Sequence, residues 1–230
     1  MLVATPGLVL HTTPYGESSV VARVFTRLLG VRSYIIKGVR GPRSRIKQNL
    51  LQPLSSVDMV VYDNPKNDLN HIKEITPRHP DHSGDAVGNA LCFFMTEVLY
   101  KALREAEPMP ELYDYVDDIN AQFATLNPQL PVVFLLTVAR HLGIEPLDNY
   151  STREPLFDLQ EGRFIAAPAE TTLPPVLSAL LHEYLSSSSA LLAPYADRRA
   201  LLDALLVYYQ LHLSGFHQFH SHEILHTVLR

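Results

Sequence analysis

The densest chemistry in this chain lies in eleven consecutive residues, Lys37-Gly38-Val39-Arg40-Gly41-Pro42-Arg43-Ser44-Arg45-Ile46-Lys47. Lys37, Arg40, Arg43, Arg45 and Lys47 are cations, and no acidic residue interrupts them. Within a helix such a run repels itself at i,i+3 and i,i+4. Gly38, Gly41 and Pro42 break a helix, so the run reads as an exposed loop that fans positive charge into solvent. Such a loop suits a polyanion, because each Lys or Arg that neutralises a phosphate releases a condensed counterion.

Arg23, Arg27 and Arg32 stand on the strands predicted just upstream and extend this basic surface. Arg23 and Arg27 share strand parity and face one side if no bulge intervenes. Phe25 and Tyr34 are the nearby aromatics, and a base stacked on an exposed ring is worth ~1–3 kcal/mol. Phe25 is expected in the core of the strand domain. Tyr34 alternates with Arg32 and Ile36, and is open to either core packing or stacking on unpaired bases.

Two other clusters invite metal chemistry. His217, His220, His222 and His226 crowd the C-terminal region, and His222 and His226 have helical i,i+4 spacing. Zinc wants a third or fourth ligand, and Glu223 falls on a different helix face. These histidines are expected on a helix surface or partly buried, without metal. Asp114, Asp117 and Asp118 are the carboxylates that a Mg²⁺-dependent nuclease would need, but they sit in an acidic region and are expected as a solvated helix face. No Gly-rich phosphate loop, nucleophile elbow or Cys/His pair occurs. No catalytic residue, metal or cofactor is expected.

The elements that must position the cations follow from composition and periodicity. The chain has 230 residues, of which 47% are hydrophobic, ample for a packed core. The net charge of −5 hides an asymmetry: residues 1–78 hold eleven Lys/Arg against five Asp/Glu, and the remainder hold eight against nineteen. A basic first third joined to an acidic rest points to division of labour. The single cysteine, Cys92, excludes an intrachain disulfide and a Cys-rich zinc site, and fits a reducing cytoplasm. No signal peptide is expected at the N-terminus, and no stretch reaches the ~18 apolar residues of a membrane span.

Residues 1–78 predict five strands: Gly7–Thr13, Val20–Thr26, Val31–Val39, Leu50–Tyr62 with Pro53 as a point of kinking, and Asn67–Thr76. Five short strands in this length suit an OB-type barrel. From Ser83 the period becomes helical, with Leu91, Phe94, Met95, Val98, Leu99 and Leu103 on one stripe, Ser83 and Asp85 as capping residues, and Pro108 and Pro110 as the stop. Further helices are predicted over Pro110–Leu126, over Pro131–Leu142 with Gly143 as C-cap, over Leu173–Ser186 and Asp197–Ser214, and after Ser221. Leu156–Ile165 reads as a β-hairpin turning at Glu161-Gly162. The expected class is therefore α+β and multidomain: a five-stranded OB-type barrel over 1–78, then an α-helical domain over 79–143 and 173–230 with a hairpin insertion at 144–172.

These patterns resemble the RecO family of recombination mediators. Pro14-Tyr15-Gly16-Glu17-Ser18-Ser19, followed by Val24-Phe25-Thr26 and Gly30, is similar to the family's opening hairpin. The basic run followed by Leu51-Gln52-Pro53 is similar to its basic loop and following strand, and Phe157-Asp158 to Phe164 resembles its central insertion. The resemblance implies a protein without a catalytic centre. It would bind single- and double-stranded DNA, anneal strands, bind the acidic C-terminal tail of single-stranded DNA-binding protein, and act with RecR to help load RecA. Some members carry a four-Cys zinc site in the insertion. This chain has no Cys there, so a hairpin without metal is expected.

An acidic tail ending in an apolar residue and a carboxylate wants an apolar pocket rimmed by a cation. Arg104, Arg140, Arg198 and Arg199 are the few cations of the acidic domain and the candidates for that rim. Two other functions compete with the mediator: an OB-fold RNA-binding protein without catalytic activity, and a metal-dependent nuclease.

Overall fold

The computed structural model describes residues 1–39, 48–64, 66–79, 86–103, 107–121, 127–186 and 193–228. It divides into two compact units, residues 1–126 and 127–230.

In the first unit β1 (Leu2–Tyr15), β2 (Ser19–Thr26), β3 (Gly30–Ile36), β4 (Ser56–Tyr62) and β5 (Asn70–Pro77) close into a barrel in the order β1-β2-β3-β5-β4. β1 is longer than its β-branched run predicts, because it serves two partners. Its first half pairs with β4, from Leu2 against Tyr62 to Leu8 against Ser56, and its second half pairs with β2. The register against β2 shifts between Val9 and His11, and such a bulge re-aims a strand as it turns from one partner to the next. Alternation then sends Val20, Ala22 and Val24, Tyr34 and Ile36, and Val57, Met59 and Val61 to the inside, where they form the barrel core. Gly7 sits where β1 crosses closest to this core. A Cβ there would lie 2.6 Å from Val24 Cγ1 and 2.8 Å from Met59 Cε.

The strand predicted over Leu50–Tyr62 is corrected to a shorter one. Gln48–Leu51 forms a 3-10 turn instead, and β4 begins only at Ser56. Pro53 has no N–H to give to a ladder. The following Leu54 adopts φ 61°, a left-handed backbone, and its N–H donates to the Val9 carbonyl at 2.8 Å. The chain thus rejoins β1 by a bend.

Two helices complete the unit, α1 (Ala86–Ala102) and α2 (Pro110–Ala121). The predicted stripe of α1, together with Leu103 just beyond it, is buried throughout. The capping residues Ser83 and Asp85 lie outside the described residues. On α2, Tyr113 meets Phe25 of β2 edge to face, with ring centroids 5.6 Å apart. Phe25 is fully buried, as expected, but beneath a helix and outside the barrel's inner cluster.

The second unit holds α3 (Leu130–His141), α4 (Pro175–Ser186), α5 (Tyr195–His212) and α6 (Ser221–Val228), with a hairpin of β6 (Leu156–Asp158) and β7 (Arg163–Ile165). Gly143 closes α3 at φ 71°, with its N–H on the Arg140 carbonyl at 3.1 Å. Tyr209 Oη donates to the Leu135 carbonyl at 2.6 Å and fastens α5 to α3. No described helix is long and apolar enough to cross a membrane.

Candidate nucleic-acid interface

The basic run begins on the barrel. Lys37, one residue past β3, is exposed, and Gly38 takes φ 72°. Val39 then dips into the barrel core at 3% exposure, and the chain returns to the same core at Leu51. The run is therefore anchored by apolar side chains on both sides. Arg40, Arg43, Arg45 and Lys47 lie outside the described residues.

The strand residues expected to enlarge the basic surface have partners within the unit. Arg23 points from β2 to the end of α1: Nη2 donates to the Leu103 carbonyl at 3.2 Å, and the guanidinium carbon lies 5.0 Å from the Tyr100 ring centroid. A cation at a helix C-terminus and over a ring is favourable on both counts, so Arg23 has a structural role in this unit. Arg32 is half-buried and donates from Nη1 to its neighbour's carbonyl, Val31 O, at 3.0 Å. Tyr34 is fully buried in the barrel core, so it offers no face for a base to stack on. Burial pushes its hydroxyl's pKa up, and that hydroxyl has no hydrogen-bond partner among the described residues. Tyr34 and Ile36, grouped by parity, share the inner face.

Two of the three aspartates read as a solvated face, Asp114 and Asp117, are instead partnered by the barrel. Asp114 and Asp117 lie three residues apart, hence on the same side of the helix, and that side faces the barrel. Arg27 grips Asp114 with two bonds, Nε to Oδ1 at 2.7 Å and Nη2 to Oδ2 at 2.8 Å. Asp117 is 7% exposed and accepts from Ser56 Oγ at 2.7 Å and Arg78 Nε at 3.0 Å, with His79 Nε2 3.2 Å away. Arg78 Nη1 also reaches Asp58 at 3.2 Å. One turn further, Asn120 Nδ2 donates to the Leu54 carbonyl at 3.0 Å. Asp118 is exposed and has no such partner among the bonds above. Asp114 and Asp117 are thus neutralised by arginines of the same unit, and together with Asp118 they are not gathered into a metal-holding group.

In the second unit Arg198 and Arg199 come together, and Arg140 stays apart. Arg140 is tied to Glu145, Nε to Oε1 at 2.7 Å, and that bond raises its pKa. Arg104 lies outside the described residues. Arg198 and Arg199 border a shallow concavity of about 20 Å³, half open to solvent, whose floor is apolar: Pro128, Pro131, Val132 and Leu202, closed by Tyr195 and His226. Arg198 is steadied by donating to the Ala193 carbonyl, and Arg199 is exposed. His226 holds the far wall through Nε2 to Asp203 Oδ1 at 2.7 Å, and Tyr195 Oη donates to the His226 carbonyl at 2.8 Å. No group of three His, Cys, Asp or Glu among the described residues is arranged to hold a metal.

The hairpin insertion is organised by hydrogen bonds where a metal would otherwise cross-link it. Asp158, 1% exposed, accepts from Glu161 N at 2.8 Å and from the hydroxyls of Thr171 and Thr172 at 2.9 and 3.3 Å. Asn149 clasps Phe164 from both sides, its Oδ1 accepting from N at 2.8 Å and its Nδ2 donating to O at 2.9 Å. Phe157 and Phe164 pack edge to face at 5.0 Å. Without a thiol, and with its one buried carboxylate holding three hydrogen bonds, the insertion does not fit zinc.

A closed five-stranded barrel carrying an anchored basic run, followed by a helical unit with a small hairpin, defines an OB-type protein of barrel-plus-helices architecture. Residues 1–80 match the family model described as "Recombination protein O N terminal". The chain is 30% identical to the DNA repair protein RecO of Porphyromonas gingivalis, over 99% of both chains. It is 28% identical to that of Phocaeicola vulgatus over 98% of both, and 26% identical to that of Flavobacterium psychrophilum over 99% of both. The chain belongs to the RecO family.

Proposed function

We propose that this chain is a non-enzymatic DNA-binding mediator of recombinational DNA repair in the bacterial cytoplasm, acting on the nucleoid. The barrel grips single- and double-stranded DNA through Lys37, Arg40, Arg43, Arg45 and Lys47, and anneals complementary strands by neutralising both. The helical unit engages the acidic C-terminal tail of single-stranded DNA-binding protein, RecR joins the complex, and RecA is loaded as a result. The observation that carries this reading is the basic run itself, rooted in the barrel core at Val39 and Leu51 in a chain of this family. Phosphate contacts give affinity without sequence preference, which suits a protein that works at any damaged site. The pocket beside Arg198 and Arg199 supports the tail assignment, because an apolar floor with a cationic rim matches an apolar residue followed by a carboxylate.

The test is fluorescence anisotropy of a labelled single-stranded DNA oligonucleotide across several salt concentrations. The parent is compared with a variant carrying Arg40→Ala, Arg43→Ala and Arg45→Ala. The parent binds; the variant binds more weakly. Its log-log salt slope is shallower by about two, at ~0.7 for each single-strand phosphate that no longer has a cation against it. Equal binding by both would move the DNA surface off the loop. An RNA oligonucleotide that competes better than DNA would instead favour an OB-fold RNA-binding protein.

A further inference from the structure

The outer face of the barrel carries a feature that the basic loop does not use. Tyr62, the last residue of β4, is 52% exposed although its neighbour Val61 is fully buried in the core. It lies directly opposite His71 of β5, which is also exposed. The same row continues on both sides, to Leu2 of β1, 51% exposed, and to Ile35 of β3, half-buried. Directly opposed residues on one sheet face have Cβ atoms about 5 Å apart. Tyr62 and His71 are thus cross-strand neighbours on one face, flanked by aliphatic residues. The edge is stiff: Asp63 N donates to the Met1 carbonyl at 2.8 Å, and Asn64 N to the side chain of buried Asn70 at 3.0 Å.

Charge says what would cover this row. Two residues beyond Ile35 on the same strand face is exposed Lys37, and two residues beyond His71 is exposed Lys73. β3 and β5 run parallel here, so both lysines lie on one side of the row, toward the basic run. Lys73 shares its charge with Glu74 at 3.2 Å, and Asp68 lies in the connection between β4 and β5. The edge is therefore not a uniformly basic strip of the kind that holds a duplex by its phosphates alone. Exposed rings bordered by a few cations suit a strand whose bases are unpaired and whose backbone passes along the cations.

We propose that Tyr62 and His71 form a stacking platform for the unpaired bases of single-stranded DNA, with Lys37 and Lys73 alongside its backbone. This rests on the DNA-binding reading above and adds to it a preference for strand state. Duplex DNA keeps its bases stacked on one another and gains nothing from the platform.

The chain contains no tryptophan, so a Tyr62→Trp variant of the full chain places a single reporter in the row. Oligo-dT quenches its emission, and a duplex of equal length does not. In anisotropy, Tyr62→Ala binds the single strand about tenfold more weakly, Tyr62→Phe binds as the parent does, and neither change alters duplex binding or the unfolding temperature. Undiminished single-strand binding by Tyr62→Ala, or emission unchanged by an oligonucleotide that anisotropy shows to be bound, overturns the platform. If the triple arginine variant loses affinity in the same series, the DNA reading survives that outcome. A parent that binds no DNA at any salt overturns both.

Discussion

Arg27, just past the end of β2, and Asp114, on α2, meet as two parallel hydrogen bonds of 2.7 and 2.8 Å, the geometry in which a guanidinium fork matches a carboxylate. With Arg23 on the end of α1 and Arg78 shared by Asp58 and Asp117, this pair shows where much of the barrel's positive charge goes. Residues 1–78 carry a surplus of six positive charges, but the compact unit 1–126 holds thirteen Lys/Arg against fourteen Asp/Glu. Helices α1 and α2 answer the barrel's charge internally, and the run at 37–47 gains importance as the place where cations outnumber acids locally.

The Arg27–Asp114 pair predicts an acid dependence of known sign. The hydrogen bond from Arg27 holds the Asp114 carboxyl below its usual range. A depressed carboxylate contributes stability above its unfolded pKa and loses it as pH falls through the folded one. With side chains 41% and 49% exposed, solvent screens the pair and the effect is small. In urea titrations Arg27→Gln is less stable than the parent at neutral pH, and the gap closes as pH falls below about 4. A gap that does not change with pH would assign the contribution of Arg27 to its alkyl stem.

Asp117 and Asp118 are neighbours in sequence with opposite consequences. Asp117→Ala leaves the buried Ser56 hydroxyl without its acceptor and takes one of Arg78's two carboxylate partners, and costs about 2 kcal/mol in chemical unfolding. Asp118→Ala, on the exposed side, stays within about 0.5 kcal/mol of the parent. Equal effects would mean that α2 is not pinned to the barrel through this carboxylate.

The hairpin insertion should be indifferent to chelators. EDTA leaves the thermal transition of the parent unmoved, whereas Asp158→Ala, which frees two threonine hydroxyls and a backbone N–H, lowers stability by about 2 kcal/mol. A transition that falls on EDTA treatment would reveal a bound metal.

For the acidic tail, Arg199→Ala weakens binding of a peptide ending in Asp-Phe by about tenfold, a rim charge being worth ~1–2 kcal/mol to such an encounter. Arg140→Ala binds as the parent does, because its guanidinium already serves Glu145. Calorimetric titration of the peptide into each variant separates the two.

The barrel was legible because β-branched runs between turn residues alternate inward and outward, and α1 because its stripe repeats at helical steps. What alternation alone does not reveal is which parity faces in. Tyr34 was grouped correctly with Ile36, yet only closure of the barrel shows that face to be the interior. Tyr62 is the counterpart: Val57, Met59 and Val61 form an inward set, and counting one step further along β4 leaves an exposed ring. The acids of α2 were read as solvated because a sequence shows each charge but not its partner, and Arg27 and Arg78 are remote from them along the chain. Leu50–Tyr62 shows a local rule winning over hydrophobic pattern, since Pro53 and the left-handed Leu54 end the strand before it reaches Leu50.

The barrel's closure between β3 and β5 rests on a short parallel ladder, Tyr34 opposite Asn70 and Ile35 opposite His71, whereas β1–β2, β2–β3 and β4–β5 are zipped along most of their lengths. In the time domain this seam is the weakest stave. Native-state amide exchange should show it parting before the antiparallel ladders, with β4 and β5 swinging away as a hairpin while β1 to β3 hold as a meander. Because Ile35 and His71 flank this seam, a bound strand lying across both would act as a hoop that slows the parting.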